Sequence, residues 1–228
     1  MKYTDTYSID PKTQDHRPYT CAMGKATATD FSPFLQQLIA RHPDWPGELQ
    51  QAGRLDKTSP PDSGQLASSI AKSGLESGLR LFRNREILRI IWRDLNELAP
   101  LEETLADLSK MADICLQAAT DHYTELLEMQ HGIPRSDDGQ TQKMVIIGLG
   151  KLGGGELNLS SDIDIIFCYP NSGACDGRRG LSNEQFFTRL ARNIIRSLSE
   201  ITPDGFCFRV DTRLRPFGES GPLVSSLE

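Results

Sequence analysis

Long apolar runs are missing from this 228-residue chain, and none approaches the roughly 20 residues that a membrane-spanning helix needs. A signal-peptide core is missing too: the opening stretch MKYTDTYSIDPKTQDHRPYT is polar, so the expected location is cytoplasmic, with no membrane partner. Cysteine is sparse. Cys21, Cys115, Cys168, Cys175 and Cys207 are an odd number without paired metal spacing. They read as reduced thiols, with Cys115, Cys168 and Cys207 inside apolar runs. His16, His42, His122 and His131 are scattered without a ligand pattern, which argues against zinc. Nor is positive charge in excess. A net charge of −6 argues against a protein that coats nucleic acid through bulk charge, and no nucleic-acid partner is expected. What remains, 38% hydrophobic and 25% charged, is ordinary for a soluble globular protein with room for one large domain or two small ones.

What is present is concentrated in residues 144–169, MVIIGLGKLGGGELNLSSDIDIIFCY. Met144 to Ile147 form a short β-rich apolar run. Gly148 to Gly155 then hold five glycines in eight positions, and a second apolar run begins at Ile163. Side chains alternate across a strand. Asp162 and Asp164 therefore share one face, and Ile163, Ile165 and Phe167 share the other. Two carboxylates that close repel unless a cation lies between them. Mg²⁺ is held by one or two carboxylates together with substrate phosphates, and glycines let backbone N–H groups approach phosphate. The pattern points to a metal-dependent site acting on a nucleotide phosphate. GLGKLGG also fits a dinucleotide fingerprint after a strand. Such a site wants an acid about 20 residues on, at the end of the next strand. The acids in this chain come sooner, as a pair, at that strand's start, so NAD binding is discounted.

The remaining chain reads as mainly helical before this stretch. Residues 1–30 lack apolar periodicity and are expected to be a loose arm. A helix is expected over 31–41, and Pro43 and Pro46 then break it, with Trp45 between them as a packing anchor. Residues 56–64 are a loop. Residues 66–98 read as helical with an interruption near Gly74 to Gly78. The run RLFRNREILRIIWRDL carries Arg80, Arg83, Arg85, Arg89 and Arg93. The plainer reading, a solvated face paired with local acids such as Glu86 and Asp94, is preferred over a basic binding surface. Residues 101–130 form the longest amphipathic helix. Ser182 with Gln185 looks like a capping box opening another. FCFRVDTRL then reads as a third strand, with Phe206, Phe208 and Val210 on its apolar face and Cys207, Arg209, Asp211 and Arg213 on the other. Asp211 would thus join Asp162 and Asp164 at one edge of a small sheet.

A glycine turn, a link, Asp-x-Asp on a strand and a lone carboxylate on a later strand resemble the DNA polymerase β-like nucleotidyltransferase superfamily. More narrowly, GLGKLGGGELNLSSDIDIIF at 148–167 and RVDTRLRPFGESGPLVSS at 209–226 are similar to the glutamine synthetase adenylyltransferase family. RHPDWPGEL at 41–49 and LRLFRNREILRIIWRDL at 79–95 resemble it too. The likeness covers most of the chain beyond about residue 31.

It implies an α+β fold: an N-terminal helical region over 31–100, then a nucleotidyltransferase domain over 101–228 with a small mixed sheet and flanking helices. That family joins two catalytic halves in one polypeptide, one adding AMP to a tyrosine of glutamine synthetase and one removing it. The chain resembles the N-terminal, adenylyl-removing half. It is too short for both halves and stops two residues past SGPLVSS, so the expected catalytic domain is C-terminally incomplete. Thr212 stands where the family pattern leads one to expect an apolar residue.

The resemblance implies phosphate-dependent removal of AMP from adenylyl-tyrosine, giving ADP. ATP-dependent adenylylation, or a non-catalytic docking module for nucleotide or partner, stays open. Asp162 and Asp164 would bridge two Mg²⁺ ions, and Asp211 would complete the one that activates the nucleophile. Gly153, Gly154 and Ser161 would bind phosphate oxygens. Lys151, Arg213 and Arg215 would neutralise charge, with a solvated lysine and salt bridges to Glu219 or Glu156 as plainer alternatives. Glutamine synthetase is the expected partner, and a PII-type signalling protein the expected regulator.

Overall fold

The computed structural model describes residues 32–178 and 180–228; the expected N-terminal arm and Cys21 lie outside them. Ser32 caps the first helix, α1 (Pro33–Arg41), its hydroxyl accepting from the Leu35 amide at 3.2 Å. Trp45 opens α2 (Trp45–Gln51) rather than sitting in a bare turn, and its ring stacks on His42 at 3.8 Å. Asp62 caps α3 (Ser63–Ser73). Gly74, at φ +80°, separates it from α4 (Leu75–Leu95), where the left-handed backbone suits glycine. The interruption is confined to Gly74, and α4 runs unbroken through Gly78. A Cβ on Gly78 would stand 2.7 Å from the Ile70 Cα, so its absence lets α3 and α4 close on each other. Pro100 precedes α5 (Leu101–His131), the longest helix, as its apolar periodicity predicts.

The arginine run of α4 departs from expectation. Arg80, Arg89 and Arg93 are buried, and so is Glu86. Glu86 accepts from Arg54 and from Arg89, at 2.7 and 2.8 Å, and Arg89 reaches Asp107 on α5 at 2.8 Å. Arg93 pairs with Glu103 at 2.8 Å. The face is therefore an interior ion network, not a solvated one. Other helices surround α4, and its charges are tolerated because they find partners across those helices.

The sheet centres on β3 (Ile163–Tyr169). On one side β2 (Val145–Gly148) runs antiparallel to it, with Ile147 opposite Ile166. On the other, β5 (Val210–Asp211) and β6 (Val224–Ser226) both run parallel to it, one at each end. A separate ribbon pairs β1 (Pro134–Ser136) with β4 (Gly173–Cys175). Between β2 and β3 lies the short helix α6 (Gly150–Gly153). Helix α7 (Asn183–Ser199) begins with the expected capping box of Ser182 and Gln185. Ile163, Ile165, Phe167, Phe186, Leu190 and Ile194 are fully buried, where the inner face of the sheet meets the helices. Seven helices and small mixed sheets among the described residues make this an α+β fold.

The third strand is shorter than expected: only Val210 and Asp211 pair with β3. The amides of Cys207 and Phe208 both donate to the Leu198 carbonyl, at 2.9 and 3.0 Å. That ties this segment to the end of α7, and strand alternation does not apply to it. Cys207 accordingly lies fully buried rather than on the acid face, while Phe206 stays half-buried.

Candidate active site

The parallel register sets Asp164 directly opposite Asp211. Paired residues on adjacent strands point to the same face, with strand axes about 4.8 Å apart. Asp162 lies one alternation back, just ahead of β3, and the Ile163 amide donates to the Arg209 carbonyl at 2.9 Å. All three predicted carboxylates therefore stand on one face of the sheet. The apolar alternates Ile163, Ile165 and Phe167 are buried on the other.

Two of the three acids are engaged by arginines of the following segment. Arg209 donates through Nε to Asp162 and through Nη2 to the Ser160 carbonyl. Arg213 grips Asp211 through Nε, at 2.9 Å from Oδ2, and through its own amide, at 2.8 Å from Oδ1. These bonds to Arg213 hold the Asp211 carboxyl below the usual carboxylate range. Arg215 is turned away from the acids: its guanidinium donates to the Thr212 carbonyl at 2.9 Å, the Thr212 hydroxyl at 3.2 Å and the Glu219 carbonyl at 3.3 Å. Neither arginine forms the salt bridge to a Glu219 or Glu156 carboxylate weighed above. Thr212, unexpected in sequence, serves as an acceptor for Arg215.

The glycine turn abuts Asp164. The Leu149 amide donates to the Asp164 carbonyl at 2.8 Å. Gly150 has φ +52°, and a Cβ there would stand 3.0 Å from Asp164 Oδ2. Gly153 and Gly154 have different work. Their amides donate to the carbonyls of Leu149 and Gly150, at 3.0 and 3.1 Å, and so close α6. A Cβ on Gly153 would press to 2.5 Å of the Gly148 carbonyl oxygen. In this arrangement neither amide is free for phosphate. Any unpaired donors of the turn belong to the first residues of α6, as helix geometry requires. Ser161 is half-buried, and its hydroxyl bonds Asn158 Oδ1 at 2.5 Å. Lys151 is exposed on α6. The sequence reading gives Arg209 a place beside Asp211 but no role, and gives none to Gly150. Parallel pairing, which brings Arg209 opposite Asp162, is the missing signal.

The donors are hard carboxylate oxygens, the chemistry Mg²⁺ takes, and Gly150 keeps the approach to Asp164 free of a side chain. Among the described residues, however, no three His, Cys, Asp or Glu side chains form a group able to hold a cation. Arg209 and Arg213 already satisfy Asp162 and Asp211. The donor set fits the ion, provided these arginines release the carboxylates. A cleft of about 460 Å³ near the glycine turn is lined by Ile146, Gly148, Leu152 and Ile165. Those strand positions alternate with the acids, so the cleft lies on the opposite face of the sheet from them.

Among the described residues no helix is long and apolar enough to cross a membrane. A family model described as glutamate-ammonia ligase adenylyltransferase matches residues 25–228. Three curated relatives are each called bifunctional glutamine synthetase adenylyltransferase/adenylyl-removing enzyme. The chain is 44% identical to that of Thioalkalivibrio sulfidiphilus over 205 residues, covering 86% of this chain and 21% of the relative. It is 42% identical to that of Shewanella frigidimarina over 201 residues, 86% of this chain and 21% of the relative. It is 43% identical to that of Shewanella oneidensis over 206 residues, 88% of this chain and 22% of the relative. The chain thus spans about a fifth of the length of these relatives.

Proposed function

The chain belongs to the glutamate-ammonia ligase adenylyltransferase family, and from that premise we propose that it carries an adenylyl-transfer site acting on glutamine synthetase. The direction we propose is removal: inorganic phosphate attacks the α-phosphorus of adenylyl-tyrosine. One phosphate O–P bond forms, the tyrosyl O–P bond breaks, the phenolate takes up a proton, and ADP leaves. The observation that supports adenylyl transfer is the register pairing of Asp164 with Asp211, with Asp162 on the same face and the glycine turn alongside; the direction rests only on the chain's likeness to the adenylyl-removing half.

Asp162, Asp164 and Asp211 would hold Mg²⁺, which when bound supplies neutralisation of charge on the phosphate oxygens. The chain's own residues supply the rest. Asp211 is ionised at neutral pH as any ordinary aspartate is, and Arg213 holds its carboxyl lower still, so it could receive a cation or orient the nucleophile once Arg213 gives way. Gly150 keeps a side chain away from Asp164 and lets a phosphate approach it. Lys151, exposed beside that turn, and Arg213, once it leaves Asp211, would offset charge on the transferring group. The Ser161 hydroxyl, just ahead of Asp162, donates to Asn158 and would reach a phosphate oxygen only on leaving that bond. Gly153 and Gly154 act through the shape of α6 rather than as ligands.

The test is an assay of the purified chain with adenylylated glutamine synthetase, Mg²⁺ and phosphate, following ADP. ADP formed by the wild type and lost in Asp164→Asn is the expected result. Transfer of labelled AMP from ATP onto unmodified glutamine synthetase, without ADP formation from the adenylylated form, would assign the opposite direction. A protein that melts cooperatively and does neither would overturn the reading.

A further inference from the structure

Two arginines of α4, Arg80 and the partly buried Arg83, meet no carboxylate among the described residues, and of the two only Arg83 lacks a set of carbonyls in its place. Among the described residues Arg54, Arg89 and Arg93 each meet a carboxylate, and Arg80 is bonded to the carbonyls of Glu76, Glu200 and Gly205. Arg83 differs. Its side chain bonds Asn84 Oδ1 at 3.0 Å, its Nε is buried without a partner, and no described carboxylate pairs with it. Burial pushes its guanidinium pKa down, and the nearby Arg209 pushes the same way. Both guanidinium carbons lie near the Phe206 ring centroid, Arg83 at 5.5 Å and Arg209 at 5.9 Å. A partly buried guanidinium with an orphaned Nε and no carboxylate is costly to keep; the Phe206 ring offsets part of that cost, and the nearby Arg209 adds to it.

A cavity of about 110 Å³ opens at this place: Arg83, Arg209, Asn158, Ser160 and Ser161 form its polar part, and apolar side chains that include Ile87, Leu108 and Met111 wall the rest. That is room for a few water molecules, and so for one tetrahedral oxyanion, but not for a nucleoside. Arg209 is also the residue that occupies Asp162. The Arg209–Asp162 pair is about half exposed on both sides, and exposed pairs are worth little, so exchanging one anionic partner for another is inexpensive.

We propose that this cavity binds a tetrahedral oxyanion, with Arg83 as its fixed cation and Arg209 as the cation that turns to it from Asp162. Anion binding then frees the Asp162 carboxylate on the sheet face. The proposal rests on the reading above only for the identity of the anion, the phosphate that enters the reaction; the pocket itself is argued from Arg83.

Calorimetric titration of the full chain at fixed ionic strength, without Mg²⁺, tests it. The probes are inorganic phosphate, sulfate and AMP. Saturable binding of phosphate and sulfate by the wild type is expected. Arg83→Gln should weaken phosphate at least tenfold, and Asp162→Asn should tighten it several-fold by releasing Arg209. Arg209→Gln, at an exposed position, repeats the loss without disturbing the helix interior, and melting curves in phosphate-free buffer check that each variant is folded. Undiminished binding by folded Arg83→Gln would overturn the proposal. So would AMP binding without phosphate binding, which would make the ligand a nucleotide phosphoryl group, or the absence of saturable phosphate binding. Arg85→Ala, on the same helix but outside the cavity, should bind phosphate as the wild type does. Phosphate binding with no ADP formation in the assay above would sink the enzymatic reading and leave the pocket standing.

Discussion

At the scale of single residues, the glycine turn separates room for chemistry from room for packing. Gly150 and Gly153 are three apart in one short helix, yet a Cβ on the first would meet a carboxylate oxygen and on the second a backbone carbonyl. Gly153→Ala should lower stability by about 1–3 kcal/mol, because the Gly148 carbonyl cannot move without breaking β2 from α6. Gly150→Ala, strained at φ +52°, should lose about 1–2 kcal/mol and displace the Asp164 carboxylate as well. Its activity should therefore fall further than its stability. At Gly154, where φ is −82° and the nearest atom would be 3.5 Å away, alanine should stay within about 0.5 kcal/mol of wild type. Urea unfolding of the three variants beside the ADP assay gives the comparison. A Gly153→Ala variant as stable as Gly154→Ala would mean that packing does not require Gly153.

At the scale of elements, α4 is the helix whose character the sequence conceals. Its arginines look like a charged surface because local spacing is all a sequence displays. One pair, Arg89 with Glu86 three residues earlier, is the local one expected; the rest of the network lies farther along the chain, with Arg54 32 residues from Glu86 and Asp107 18 from Arg89. By contrast the capping box of α7, the break at Gly74 and the alternation of Asp162, Ile163 and Asp164 were legible, since each depends on neighbours within a few positions. The third strand is shorter than its alternation suggests for the same reason. The Leu198 carbonyl takes the Cys207 and Phe208 amides, and no periodicity announces that. Truncating a network arginine should show the difference between the two kinds of charge. Arg89→Met leaves Glu86 and Asp107 without a shared cation and should cost about 3–5 kcal/mol. Arg85→Ala, which breaks only the partly exposed pair with Glu48, should cost at most about 1 kcal/mol. Equal midpoints in urea for the two variants would refute an interior network.

Helices α4 and α5 are also joined by a bond with a pH signature. The Tyr123 hydroxyl donates to Glu76 Oε1 at 2.7 Å. That bond is the main cause holding the Glu76 carboxyl below its ordinary value, while burial, then Glu76, raises the Tyr123 phenol. A depressed carboxyl contributes stability above its unfolded pKa and loses it as pH falls through the folded one. A raised phenol keeps its contribution until pH climbs through its own folded value. Tyr123→Phe should thus be less stable at pH 7 by under about 1 kcal/mol, since Glu76 is largely open to solvent. The gap should narrow by pH 4. A gap that widens on acidification would show that the bond is not what lowers Glu76.

At the scale of the whole molecule, the helices before Leu101 and the sheet behind it are held by shared atoms rather than by a linker. Arg80 on α4 is fully buried and bonds the carbonyls of Glu200 and Gly205. Asn84 donates to the Asp204 carbonyl at 3.1 Å, and Ser77 to the Asp204 carboxylate at 2.9 Å. This turn leads directly into Arg209 and Asp211, so α4 fixes the place from which the third carboxylate arrives. The same helix covers the inner face of α5, where Leu108, Met111, Ala112 and Cys115 are buried. A chain beginning at Leu101 would expose those side chains and leave the Glu200–Gly205 turn without its arginine. Exposing several core residues at about 1.5–3 kcal/mol each exceeds the whole stability of a typical domain, about 5–15 kcal/mol. Such a chain should therefore lack a cooperative thermal transition by circular dichroism, and its tryptic digest should show no protected core. A sharp melt from residues 101–228 alone would instead make the helical region an accessory, and the position of Asp211 a property of the sheet by itself.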